Sequence, residues 1–207
     1  MALKVIPISR DEALRLVVAN HYLHRKSAVS YAYGLDDEGR TVGVVIFGVP
    51  ASRHLQMGAC PANPDAVIEL NRLWVSDDMP RNTETWFIAR ALAMLPPFIV
   101  VSYADTRRGH MGIIYRAANF RYAGWTDMER AKARLDYLTP GKHTRDAFRG
   151  GDGVNSIKVR RKPKVKYWTV TGNARDRKRL MRLCGWPSLS WKDQPPPMEH
   201  RQCSKAA

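Results

Sequence analysis

Between residues 66 and 126 the chain alternates in a way that leaves few folds open. Residues 66–75, AVIELNRLWV, form an apolar run that reads as a strand. Asn82 then caps TETWFIARALAML, a strongly apolar helix stopped by Pro96-Pro97. Phe98-Ile-Val-Val-Ser-Tyr follows as a buried strand. Upstream, residues 28–35 and 41–49 read as two strands around Asp36-Asp37-Glu38-Gly39, a hairpin loop with glycine. A hairpin that leads into a strand–helix–strand unit predicts an α/β (α+β) fold: a mixed sheet with helices on both faces.

The remaining segments extend that sheet. Residues 3–8 are a short strand, and Ser9 caps a helix to about residue 22 with Asp11 and Glu12 in its first turn. Residues 53–65, rich in Pro and Gly, read as a loop. Residues 112–120 read as a helix with Tyr115 and Asn119 on one face, and 122–126 as a strand. The expected organisation is a core over 1–138 and a basic flexible loop over 139–163. Residues 164–186, a last strand and a basic helix, complete the same domain, and 187–207 form a Pro-rich tail. There is no internal repeat.

Charge is concentrated at one end. The net charge is +15, and residues 141–207 carry 17 Lys/Arg against 5 Asp/Glu. Such a block predicts a polyanionic partner, of which nucleic acid is the commonest. A solvated basic tail is the plainer reading, but aromatic residues interleave the charges. The backbone-binding candidates are Arg107, Arg108, Arg160, Arg161, Lys162, Lys164, Lys166, Arg175 and Arg179, with Trp168 among them. Tyr167, Trp168, Trp186 and Trp191 are candidates to stack bases. No apolar run approaches the roughly 20 residues of a bilayer span. Cys60, Cys184 and Cys203 are odd in number and far apart, which predicts a reduced, cytosolic protein.

Polar residues gather where the strand from Phe98 ends. Asp105 is followed by Thr-Arg-Arg-Gly-His, and the carboxyl end of a central strand is where α/β proteins place a site. Asp105 is the candidate general base, or else a cap or an ion-pair partner of Arg107 or Arg108. Ser102 alternates with Tyr103 and shares its side with residue 104, so only a splayed strand or a bulge brings it together with Asp105. Arg72 stands in an apolar strand and needs an acceptor. It is either a structural partner of Glu69 or a cleft arginine for a phosphate, carboxylate or developing oxyanion. His21 and Tyr22 end the first helix; His21 is either a helix-end group or a proton carrier. His21 and His24 are an i, i+3 pair that makes a metal site only if Asp105 completes it. Tyr33 reads as a core residue or as part of the cleft lining.

The element order resembles the acyltransferase fold called GNAT, in which two neighbouring central strands splay and the reaction centre lies in the V. Asn71-Arg72 and residues 102–105 would face that cleft. More specifically, VSYAD with GHMGIIYRAANFRYAG, together with LNRLWV and the Asn20-His21-Tyr22 helix end, resembles the phage Mom DNA-modification family. The resemblance covers most of residues 13–126 and continues through YWTVTGNARDRKRLMRLCGWP. It implies conversion of adenine in DNA to an N6-methylcarbamoyl (carbamoylmethyl) form that shields phage DNA from host restriction. It also implies double-stranded DNA as partner and the cytoplasm of an infected or lysogenic bacterium as location. His21, Tyr22, Arg72, Ser102, Asp105, Tyr115 and Asn119 become the expected catalytic set, iron a candidate metal, and a homodimer a candidate assembly.

The donor is open between acetyl-CoA and glycyl-tRNA. GNAT enzymes hold acetyl-CoA pyrophosphate on a Gly-rich turn at a helix start. Here that junction reads SDDMPRNTET, with no glycine and two acids before the helix. A carbamoylmethyl group has the atoms of glycinamide minus the shared nitrogen, which brings in an activated glycyl ester and tRNA as a second partner. Two other classes remain: a GNAT acyltransferase acting on a protein or small-molecule amine, and a non-catalytic DNA-binding protein on the same scaffold.

Overall fold

The computed structural model describes residues 3–106, 109–126, 134–138 and 157–194. The elements are β1 (Lys4–Pro7), α1 (Arg10–Asn20), β2 (Tyr31–Asp37), β3 (Arg40–Gly48), α2 (Arg53–Ala59), β4 (Val67–Val75), α3 (Thr83–Ala93) and β5 (Ile99–Ala104). There follow α4 (Ile113–Ala117), β6 (Arg121–Trp125), β7 (Leu135–Leu138), β8 (Ile157–Arg160), β9 (Val165–Val170) and α5 (Ala174–Leu183). Seven strands form one sheet in the order β1-β2-β3-β4-β5-β9-β6, and β7 and β8 pair separately. All neighbours in the seven-stranded sheet are antiparallel except β4 and β5. The expected mixed sheet is the observed one.

Its two faces are built by strand alternation. Val44 and Ile46 pack against Ala13, Leu14 and Val17 of α1. Ile99, Val101 and Trp168 pack with Ala59 of α2 and Leu180 of α5. Val100, Ala104 and Tyr167 point the other way, onto Phe87 and Ile88 of α3 and Tyr115 of α4. So α1, α2 and α5 cover one face and α3 and α4 the other.

The feature that positions a site is the parallel pair. β4 and β5 are in register only at Val67↔Ile99, Ile68↔Val100 and Glu69↔Val101. Beyond Glu69 and Val101 the two strands part, and a V opens between their carboxyl halves. On its other edge β4 pairs Gly48↔Glu69 and Ile46↔Arg72, with a register shift between Ile46 and Phe47. The extra residue is absorbed around Asn71, whose side-chain amide donates to the Ala28 carbonyl at 2.8 Å. Ile46 and Gly48 share a face, so their partners Arg72 and Glu69 do too, although plain alternation would separate them.

Four expectations need correction. Residues 53–65 are not a loop: Arg53–Ala59 is helical, and buried Gln56 donates to the Pro64 and Val67 carbonyls. The helix expected over 112–120 is only Ile113–Ala117, because Asn119 turns left-handed at φ 60. The expected loop over 139–163 contains β8, paired with β7, and residues 139–156 lie outside the described residues. The tail is anchored at its start: the Leu189 N–H donates to the Tyr122 carbonyl, and Trp191 packs on the core.

Candidate active site

The V is furnished from both faces. From the α1 face come Glu69 and Arg72 on β4, with His21 and Tyr22 at the end of α1. From the α4 face come Ser102 on β5 and Tyr115. Ser102 is fully buried, and its hydroxyl donates to the Leu70 carbonyl across the split at 3.3 Å. The Ser102 hydroxyl also lies within reach of the Tyr115 hydroxyl. Burial pushes the Tyr115 phenol up to about 12; Ser102 opposes the shift, and the Tyr22 and Glu69 charges add to it. Ser102 from one face of the sheet, and Tyr22 and Glu69 from the other, therefore act on one hydroxyl.

His21 is 6 % exposed and stacks on Tyr22 with ring centroids 4.3 Å apart; Tyr22 meets His110 edge-on at 5.7 Å. Burial first, then the Arg72, His24 and His110 charges, lower the His21 pKa to about 4. The ring is neutral at physiological pH. The Leu23 N–H donates to its Nδ1 at 3.1 Å, which leaves the ring proton on Nε2. In this tautomer Nε2 presents a donor, the form suited to a developing oxyanion.

Arg72 spends Nη1 on the Asn71 carbonyl at 2.6 Å, and its buried Nε has no partner among the described residues. Arg25 Nε and Ser27 Oγ, on the segment tied down by Asn71, are also buried without partners there. Arg25 lies close enough to Arg72 to depress its pKa, behind the larger effect of burial. A second guanidinium near the first adds positive charge at this end of β4, which favours an anion. Glu69 shares the face of Arg72; burial raises its pKa, against the Lys164 and Arg72 charges. Its charge also reaches Tyr103, whose phenol is raised chiefly by burial.

Sequence reasoning missed Glu69 as a site residue, and Arg25 and Ser27 altogether; His110, noted in the turn after Asp105, was not carried into the catalytic set. The signal for Glu69 was present as a carboxylate in an apolar strand; the bulge that turns it toward Arg72 was not. Asp105 stands one residue past β5, where its backbone carbonyl accepts from the His110 N–H at 3.3 Å. Asn119 is not brought into the V. It is exposed beyond α4 while Tyr115 is buried, so the shared helix face does not exist.

The Mom protein family matches residues 2–176 of this sequence. The chain belongs to that family. Methylcarbamoylase mom of Escherichia phage Mu is 34 % identical over 129 residues, covering 59 % of this chain and 54 % of that protein. The chain thus spans about half the length of the curated relative it matches. Solved structures of similar fold include a GNAT-family acetyltransferase from Bacillus cereus, with TM-score 0.47 and 12 % identity, covering 84 % of this chain and all of that one. A Bacillus subtilis acetyltransferase in complex with CoA has TM-score 0.43 and 11 % identity, covering 81 % of this chain and 97 % of that one.

In this Mom-family chain the β4–α3 junction does not fit a CoA pyrophosphate. A cavity of about 310 Å³ does lie there, but Asp77 and Glu84 line it against one cation, Arg81. The Thr83 amide and hydroxyl both turn back to the Pro80 carbonyl. Two carboxylates beside a dianion oppose its binding. Nor does the donor set fit iron. His24 Nδ1 lies 2.9 Å from the Val18 carbonyl, His21 Nδ1 is occupied, and no group of three metal-ligating side chains exists among the described residues.

The basic candidates divide. Lys162, Lys164, Arg160 and Arg175 are exposed. Arg161 is paired to Asp136 at 2.7 Å and Arg179 to Asp176 at 3.5 Å. Lys166 sits over the Trp186 ring at 5.1 Å. Trp168 is a correction: it is 4 % exposed, and its indole N–H donates to the Pro187 carbonyl, so it is core and not a stacking platform. Tyr167 is wholly buried as well, and Tyr33 is core, donating to the Met94 carbonyl. Arg107 and Arg108 lie outside the described residues. No helix among the described residues is long and apolar enough to cross a membrane.

Proposed function

We propose that this protein converts adenine in double-stranded DNA to N6-methylcarbamoyl (carbamoylmethyl) adenine, acting in the cytoplasm of a bacterium carrying the phage and shielding the DNA from restriction. The observation that carries this reading is the V itself, lined by Tyr115, Ser102, Glu69, Arg72 and a neutral histidine, with Arg25 nearby. The name and activity of the phage Mu relative support it. The exocyclic amine of adenine is paired and stacked in a duplex, so the base is flipped into the V. That amine is a weak nucleophile and needs a strong electrophile held in place, a proton acceptor and a stabilised oxyanion.

The donor we propose is an activated glycyl ester, glycyl-tRNA. The adenine amine attacks the ester carbonyl; the carbon–oxygen bond breaks, and the tRNA hydroxyl leaves with a proton. Arg72, Arg25 and His21 Nε2–H face the oxyanion. Glu69, its pKa raised by burial, takes the proton from the amine; it serves as base in preference to Asp105. The freed α-amine of the glycyl group then attacks ring carbon C6 through a five-membered ring. The original C6–N bond breaks, and its nitrogen leaves as the carboxamide. Nothing is oxidised or reduced.

The test is mass spectrometry of nucleosides from plasmid DNA of cells expressing the protein and fed glycine labelled with carbon-13 and nitrogen-15. The expected product is a carbamoylmethyl adenosine carrying both heavy carbons and the heavy nitrogen. Modified but unlabelled adenosine overturns the donor. Unmodified adenosine from soluble protein overturns the function and favours an acyltransferase on another amine.

A further inference from the structure

At the β6 edge of the sheet, on the end away from the V, a second concavity of about 320 Å³ is lined by Arg116, Arg121 and Arg177 with Asn119, Thr169 and Trp191. No carboxylate lines it. None of the three arginines has an acidic partner among the described residues. Arg121 donates to the Ser188 hydroxyl at 3.3 Å and the Met181 sulfur at 3.2 Å, both neutral. Arg116 lies over the Trp191 ring at 5.6 Å and Arg121 over Trp168 at 5.4 Å. These stacks orient the guanidiniums without neutralising them. Three such charges in one hollow fit an oxyanion of a polyanion.

We propose that this hollow is a phosphate anchor for the same duplex DNA whose adenine enters the V, a deepening that rests on the function proposed above. Position along β9 supports it. Val165 lies opposite Ala104 at the V, and Thr169 opposite Val100, four residues toward the hollow. At ~3.3 Å per strand residue the offset is at least about 13 Å. At ~3.4 Å per nucleotide along one strand, that is about four nucleotides from the flipped base. Lys164, just before β9, and Lys166 on it lie at the V end of this path. The hollow has no free ring for an unpaired base, because Trp191 already stacks with Tyr167 at 5.3 Å and carries Arg116. It reads backbone and not sequence, as phosphate contacts do.

The experiment compares wild type, Arg177→Gln and Arg116→Gln/Arg177→Gln for binding to a long duplex, a short duplex ending before the hollow, and a hairpin RNA. Affinity is measured from about 50 to 200 mM salt. The salt slope on the long duplex is expected to fall by about one per arginine removed, with no change on the short duplex. An unchanged slope on the long duplex overturns the anchor. An equal loss on the short duplex assigns the effect to general damage and overturns it also. A loss confined to hairpin RNA overturns the DNA assignment. Wild-type protein that binds the long duplex but leaves adenine unmodified overturns the proposed function alone, and the slopes then decide the anchor by themselves.

Discussion

The Ser102 hydroxyl donates to the Leu70 carbonyl at 3.3 Å, at the height where β4 and β5 cease to pair. One side-chain bond thus spans the top of the ladder, and the same hydroxyl meets the Tyr115 phenol. Ser102→Ala removes both contacts and leaves Tyr115 buried without that partner. It should cost about 1–3 kcal/mol in chemical denaturation, and modification of plasmid adenine should fall with it. Full stability and full modification would show that the bridge is incidental.

On the proposed function, Arg72→Ala removes one of two guanidiniums that serve the oxyanion. Loss of a donor to an oxyanion costs about a hundred- to a thousand-fold in turnover. Arg25→Ala should behave alike, and Arg72→Lys should not rescue, because a point charge does not replace a fork of donors. Duplex affinity and its salt slope should stay near wild type. A protein that only binds DNA would have no adenine modification for either change to abolish.

The His21 ring gives a pH dependence whose sign is fixed. Its pKa in the fold, about 4, lies below its ordinary 6.5. The unfolded chain therefore takes up the proton first as pH falls. Stability is fully present above 6.5 and is lost between 6.5 and 4, by no more than about 3 kcal/mol and by less with solvent screening. His21→Gln should flatten this part of the stability–pH curve. NMR titration of the ring with a midpoint near its ordinary value would refute the burial argument.

Gly48 holds the segment that carries Arg25. A Cβ there would strike the Ala28 carbonyl and come within 2.7 Å of the Asn71 amide. Gly48→Ala should break the Asn71–Ala28 bond and destabilise by about 1–3 kcal/mol. Modification should fall further than in a surface variant of equal stability.

Acetyl-CoA titrated into the protein should give no saturable heat, because Asp77 and Glu84 stand where a pyrophosphate would lie. Saturable binding in the micromolar range would return CoA to the list of donors.

The residues that were legible in the sequence are those whose signal is local. The apolar run into Ser102, the Pro96-Pro97 stop and the hairpin glycine were enough for a mixed sheet, and Arg72 stood out as a charge in an apolar strand. Glu69 was hidden because its orientation depends on a bulge at Asn71, which alternation does not announce. Asn119 misled because an i, i+4 spacing matters only if the helix continues, and this one stops at Ala117. Trp168 misled because a tryptophan among lysines looks the same whether it faces solvent or α5.

β9 lies between β5 and β6, yet it is made some forty residues after β6. Until residue 170 has left the ribosome, β5 has no partner on that edge, and the wall of the V is an unpaired strand. Pairing over so long a separation is slow. The nascent chain therefore carries every residue of the V, complete at Tyr115, for about fifty-five further residues before that wall is paired. The V is completed late, with the same basic segment that we propose meets the DNA.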